Sequence, residues 1–426
     1  MMNATRAVLR HRAIVVLGVT FVALLVSAGV RSAPSVMMTP LHLHFGWPIA
    51  TISTTSALGI LLYGLVGPFA AALMMSLGIR RTMMGGLVVM GLATLASQGM
   101  SQSWHYLLTW GVFSGLGSGA VASVLGAAIV ARWFARNQGL AMGVLSASTA
   151  TGSLIFLPVL AWLTRAGAWL PVVQVVGTAC LLLVPLVYWL VPEYPADAGV
   201  QRFGEGADAA VPPPPRARAR DAIGLALGTL ARAAQVPMFW LLFGTFFICG
   251  LTTNGLVGTH LISFCGDHGI APVAAAGLLS TMGLFDLIGT TASGWLTDRY
   301  DPRRLLVAYY ALRGVSLIVL PWCDFGTASL AVFAVFFGLD WIATVPPTLA
   351  LAIRTFGVRD AAVVFGWINV GHQLGAATAA FGAGLVRQHV GRYDPAFVIA
   401  GVLGVAAAGL MLATIAAAPG KMAASA

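Results

Sequence analysis

Residues Gly283–Gly314 read GLFDLIGTTASGWLTDRYDPRRLLVAYYALRG. Two apolar runs with helical spacing flank a short loop dense in charge: Asp298, Arg299, Asp301, Arg303 and Arg304. Each run carries one ionisable residue well inside it, Asp286 before the loop and Arg313 after it. In water this pattern would carry no message. In a pair of helices that cross lipid, a buried carboxylate and a buried guanidinium are costly unless they are paired or used.

The rest of the chain supports the lipid reading. Of 426 residues, 59% are hydrophobic and only 8% are charged. Soluble globular chains carry roughly 25% charged residues, so too few charges are present to cover a soluble surface of this size. The formal net charge of +10 raises nucleic-acid binding as an alternative. That function needs Lys and Arg gathered on one face, whereas here they sit in short loops between apolar runs. Cys180, Cys249, Cys265 and Cys323 lack metal-ligand spacing and read as small buried hydrophobes, with a Cys265–Cys323 disulfide as an alternative. No nucleophile motif, metal cluster or phosphate loop appears. We therefore expect no enzyme, no metal and no cofactor.

A spanning helix needs about 20 largely apolar residues. Twelve such runs are found, near 13–39, 48–75, 82–101, 105–131, 140–163, 169–191, 238–265, 272–296, 305–323, 327–350, 361–386 and 395–417. The first is too long for a signal-peptide core and is expected to be retained. The fold class is thus all-α and polytopic, with six helices, a linker and six more. The expected domains are 1–191, a six-helix bundle; 192–236, a linker; and 237–426, a second six-helix bundle. The linker holds Pro212–Pro215 and Arg216, Arg218 and Arg220. It reads as flexible or polyproline-like, with a surface helix at its end over Asp221–Ala234.

Orientation follows from Lys and Arg placement. With the N-terminus inside, all but five of the 23 basic residues fall in inner segments. The five are Arg165, Arg387 and Arg392 outside, and Arg31 and Arg313 within helices. Both termini are therefore expected on the cytoplasmic side. The two halves also repeat weakly, each placing a basic pair after its second helix, Arg80-Arg81 and Arg303-Arg304. Such a layout suits a parallel-repeat carrier whose site lies near the midplane between the halves.

The loop from Gly294 through Asp298 and Arg299 to Arg303-Arg304 resembles the G-x-x-x-D-(R/K)-x-G-x-x-(R/K) loop of the major facilitator superfamily, with Asp301 where Gly is usual. The resemblance implies a gating role for Gly294, Asp298, Arg299 and Arg303 at the cytoplasmic face. The first half holds a degraded copy over 71–81, in which Met75 and Ser76 replace the acidic–basic pair. Three stretches, GVRSAPSVMMTPLHLHFGWPIATIS (29–53), RWFARNQGLAMG (132–143) and GLDWIATVPPT (338–348), are similar to the bacterial branch related to monocarboxylate porters and oxalate/formate antiporters. In those porters an Asp and an Arg lie one turn apart on the eighth helix. This chain departs from that pattern, with Asp286 on the eighth and Arg313 on the ninth. The family implies a cytoplasmic-membrane location, a monomer, and small organic anions and protons as partners besides lipid.

Few ionisable side chains lie inside the runs: Arg31, Asp286, Arg313, Asp340, His260 and His372. At 1.5 Å per residue, Asp286, Arg313 and Asp340 sit about 18, 13 and 20 Å from the inner helix ends. Arg31 is the leading substrate contact, because a guanidinium grips carboxylate with two prongs and stays charged. Its alternatives are snorkelling near the outer end or a structural pair with an aspartate. His260 and Asn254 on the seventh helix, and Asn369 and His372 on the eleventh, are further substrate candidates, a histidine being able to exchange a proton near neutral pH. Asp286, Asp340 and Arg313 are the candidates for proton coupling. For Arg313 the plainer expectation is a structural ion pair with Asp286 or Asp340. Gly111, Gly115 and Gly119 form a row that lets helices touch closely in lipid. The expected function is secondary transport of a small organic anion, a monocarboxylate, with a proton, by alternating access. The alternatives are export or exchange of another amphipathic compound, or a membrane sensor that does not transport.

Overall fold

The computed structural model describes residues 12–164, 168–205, 221–270 and 272–416. Among these, the chain is helical almost throughout. Lipid offers no partner for backbone N–H and C=O groups, so each apolar run closes its own hydrogen bonds as a helix. Twelve membrane-length spans follow in order. The first six are Arg12–Phe45, Ile49–Ser76, Ile79–Ala96, Ser103–Trp133, Gln138–Leu163 and Leu170–Leu190. The seventh to ninth are Pro237–Asp267, Pro272–Thr297 and Pro302–Val319. The tenth begins as Thr327–Asp340, breaks at 341–344, and resumes at Val345 up to Gly357; the eleventh continues to Val390. The twelfth is Asp394–Ala416.

The packing repeats between the two sets of six. In the first, span one packs on five, three on six and two on four; in the second, seven packs on eleven, nine on twelve and eight on ten. Small residues permit these crossings. Gly111, Gly115 and Gly119 lie against Thr55, Gly59 and Tyr63 of the second span, so the expected glycine row does serve close helix contact. The two sets meet where span five packs on eight and span two on eleven.

Two spans contain a π-helical turn, Leu107–Phe113 in the fourth and Leu251–Val257 in the seventh. The break in the tenth span follows from Pro346 and Pro347, which have no N–H to offer the carbonyls of Ile342 and Ala343.

One alternative falls away and one expectation changes. The disulfide is absent: all four cysteines are free. The linker's start is also firmly placed. Phe203 N donates to Trp133 O at 2.8 Å, and Arg202 Nη2 donates to Phe134 O at 2.7 Å, tying it to the fourth span. Pro212–Pro215 and Arg216, Arg218 and Arg220 lie outside the described residues. The helix expected at the linker's end is present as Ala222–Ala233.

Candidate functional site

Arg31 stands in the first span with its guanidinium 4.5 Å over the Tyr63 ring of the second. Its Nη1 donates to Ser27 Oγ at 3.0 Å. No described carboxylate pairs with it. This decides against the structural ion pair for Arg31. The guanidinium lines a cavity with Tyr63, Ser123, Met142, Leu145 and Ser146. The space beside it is small, about the size of one water. Ser146 Oγ is buried and has no hydrogen-bond partner. A permanent cation and an idle hydroxyl thus face one space, a charge arrangement that favours an anion over a cation.

The second set of spans contains a separate polar cluster around the break in span ten. Arg313 Nε donates to Asp340 Oδ2 at 2.6 Å, and both residues are buried. Arg313 Nη1 donates to Cys249 Sγ at 2.9 Å, and its Nη2 reaches the carbonyls of Asp340 and Trp341. Asp286, from span eight, accepts from Ile342 N at 3.0 Å and from Thr290 Oγ1 at 2.6 Å. Ser293 Oγ donates to Ala343 O, one of the carbonyls the prolines leave open. Arg313, Asp286 and Ser293 thus serve the unwound backbone, and Asp340, Cys249 and Thr290 hold them in place. Arg313 pairs with Asp340 and not with Asp286.

A third group sits across the seventh and eleventh spans. Asn254 Nδ2 lies 3.3 Å from His372 Nε2, and Asn254 is exposed within the π-helical turn. His372 Nδ1 and Asn369 Nδ2 are buried without partners. π-turns recur at functional sites because the extra residue turns side chains out of register. His260 lies apart: its Nε2 is 2.8 Å from Ala380 O, and its ring meets Tyr393.

At the basic end, Asp298 accepts from Gly139 N and Leu140 N, each at 2.8 Å. These are first-turn donors of span five, where the helix dipole favours a carboxylate. Gly294 presses on the same turn: a Cβ there would meet Gly139 O at 2.3 Å. Asp298 and Gly294 thus join the two sets of spans. Arg299 and Arg303 do not. Arg299 stacks on Trp295 at 3.9 Å, and Arg303 pairs with Asp301 at 2.8 Å within the loop. Asp301, standing where the family pattern has Gly, also accepts from Arg303 N and so caps the ninth span.

One residue of this end escaped the sequence reading. Glu193 accepts from Ile79 N at 2.6 Å and Arg80 N at 3.2 Å, and it pairs with Arg132 at 2.5 Å. Gly78, at φ +106°, makes room for it, since a Cβ would lie 2.4 Å from Glu193 Oε2. The available signal was scarcity: only 13 acidic residues exist, and this one ends an apolar span.

The family model for the Major Facilitator Superfamily matches residues 20–380. The chain belongs to the major facilitator superfamily. Its twelve spans in two six-helix halves are that superfamily's fold. It is 28% identical over 372 residues to monocarboxylate transporter 13 of Rattus norvegicus, covering 85% of this chain and 79% of that one. It is 23% identical to the uncharacterized MFS-type transporter YcxA of Bacillus subtilis, covering 86% of each. Among solved structures it resembles the E. coli fucose:proton symporter FucP, with a TM-score of 0.71 at 14% identity over 94% of this chain and 98% of that one.

Proposed function

We propose that this superfamily member carries a small organic anion, a monocarboxylate, across the bacterial cytoplasmic membrane together with a proton. The observation that carries the reading is Arg31, a fixed cation on a cavity with no described carboxylate to neutralise it. The kinship with a monocarboxylate transporter supports the same cargo class. The cargo carboxylate docks on Arg31, with Ser146 beside it, and Asn254, Asn369 and His372 offer polar contacts from the other half. The halves, taken as 1–191 and 237–426 with 192–236 between them, rock about this site. The basic end faces the cytoplasm with both termini, and Asp298 closes that side.

Asp286 is the better proton carrier. Asp340 already has its charge matched by Arg313, whereas Asp286 is held by an amide and a hydroxyl only. Protonating Asp286 weakens its hold on Ile342 N and loosens the break in span ten. Arg313 is structural in this reading.

Reconstituted protein should take up monocarboxylates when an inward proton gradient is imposed. Arg31→Ala should abolish ligand-induced thermal stabilisation by organic acids. If Arg31→Ala binds and transports as well as the parent, anion docking at this residue is wrong. Asp286→Asn should keep cargo exchange while losing gradient-driven uptake. Exchange of a loaded acid with no pH dependence in the parent would instead favour an exchanger.

A further inference from the structure

The two contacts that close the basic end should be related by the internal repeat, but only one of them has its carboxylate. Just before span five, Arg136 is followed seven residues later by Gly143, which packs on Thr290 O; in span eleven, Arg359 is followed seven residues later by Gly366, which packs on Gly67 and Pro68. The repeat therefore sets Gly139 against Ala362, and Asp298 against Met75. Asp298 grips the first turn of span five. Met75 can grip nothing at the first turn of span eleven. The carboxylate nearest that loop, Glu193, is spent on Ile79, Arg80 and Arg132 within its own half.

Something else occupies that side. The linker helix Ala222–Ala233 packs on span two and on span eleven. It buries Ala222, Ala226, Thr229 and Ala233. Trp367 of span eleven donates its Nε1–H to Ala226 O at 3.1 Å, and the same indole meets Phe69 of span two edge-on at 5.8 Å. Arg232 Nη2 pairs with Asp360 Oδ2 at 2.8 Å, at the start of span eleven. The helix thus ties together the two spans that the missing carboxylate would have tied.

We propose that the linker helix is the second latch of this gate, replacing the loop carboxylate that the first half has lost. The two latches differ in kind. One is an acid on two amides. The other is a strap of small residues fixed by an indole–carbonyl bond and an ion pair. The strap must let go of span two or of span eleven before that side can part. The inference rests on the alternating-access reading, so its test reads conformation and not flux.

Spin labels at Arg81→Cys and Arg359→Cys, both exposed sites, report the separation of this side. They are placed in a Cys323→Ser background, since Cys180, Cys249 and Cys265 are buried. Arg232→Asp and Trp367→Phe should each raise the wide-distance population about threefold, the scale of one partly exposed polar contact. Asp360→Arg added to Arg232→Asp should restore the parent distribution. Unchanged distances in both single variants, or a widening that the charge swap leaves in place, overturns the latch. A protein that shows latch behaviour here but no proton-driven uptake would sink the transport reading and leave the latch standing.

Discussion

Replacing Gly294 by Ala tests how the basic end is shut. The new Cβ would lie 2.3 Å from Gly139 O and 3.0 Å from Gly143 Cα, both backbone atoms of span five. Backbone cannot swing aside as a flexible side chain can. The two helices must separate by about 1 Å to restore ordinary contact. The Asp298 bonds to Gly139 N and Leu140 N, each 2.8 Å, would then stretch to about 3.8 Å, beyond hydrogen-bonding range. Asp298 is exposed, so each lost bond is taken at about 1 kcal/mol. Together they amount to about 2 kcal/mol, a factor of roughly thirty in the open-to-closed ratio. Spin labels at Arg136→Cys and Tyr300→Cys, in the Cys323→Ser background, should show a wider second distance in Gly294→Ala. Asp298→Ala, which loses the same two bonds, should show it to a similar extent. Gly18→Ala, where a Cβ meets nothing within 4 Å, should leave it unchanged. A single unaltered distance in Gly294→Ala would refute the reasoning.

Further outcomes can be checked on purified protein. Arg313→Met should lower thermal stability by about 3–5 kcal/mol equivalent, since Asp340 is left buried and unpaired, and adding Asp340→Leu should recover much of the loss; an undamaged Arg313→Met protein would remove the structural role. Gly78→Ala should destabilise by more than 1 kcal/mol, because φ +106° is strained for alanine and the Cβ displaces Glu193; a melting temperature equal to the parent's would contradict this. Asp301 gives a pH test. Partial burial pushes its carboxyl up, but hydrogen bonds and charge from Arg303 outweigh that and hold it below the ordinary carboxylate value. A depressed folded value means its contribution is complete above about pH 4 to 5 and fades only as pH falls through the folded value. The stability gap between the parent and Asp301→Asn should therefore stay constant from pH 8 to about 5 and close in stronger acid. A gap that opens with acid would reverse the sign.

The span pattern was legible because lipid imposes one rule on every apolar run. Even the pairing of Arg313 with an aspartate followed from the same rule. Its choice of Asp340 over Asp286 did not, because both lie at similar depth and only helix rotation separates them. Pro346 and Pro347 marked a break in span ten, but the groups that come to satisfy it lie on spans seven, eight and nine. Arg31 was legible as a charge, while Tyr63 beneath it was one aromatic among many. Glu193 was passed over because it stands outside the apolar runs, and its role exists only once spans three, four and six converge. The division of the loop into Asp298, which crosses between halves, and Arg303, which stays within its own half, depends on a few ångströms that spacing does not encode.

The unpaired state of Arg31 has an electrical consequence. Arg313 and Asp340 cancel, whereas the charge of Arg31 is met locally by a bound anion alone. At this site the loaded carrier is neutral and the empty one is not. A membrane potential acts on a moving charge by about 2.3 kcal/mol per 100 mV if the full field is crossed. In the proposed symport an ionised Asp286 balances Arg31 in the empty protein, and anion and proton neutralise both in the loaded one, so the net charge is equal in the two and a membrane potential drives neither crossing.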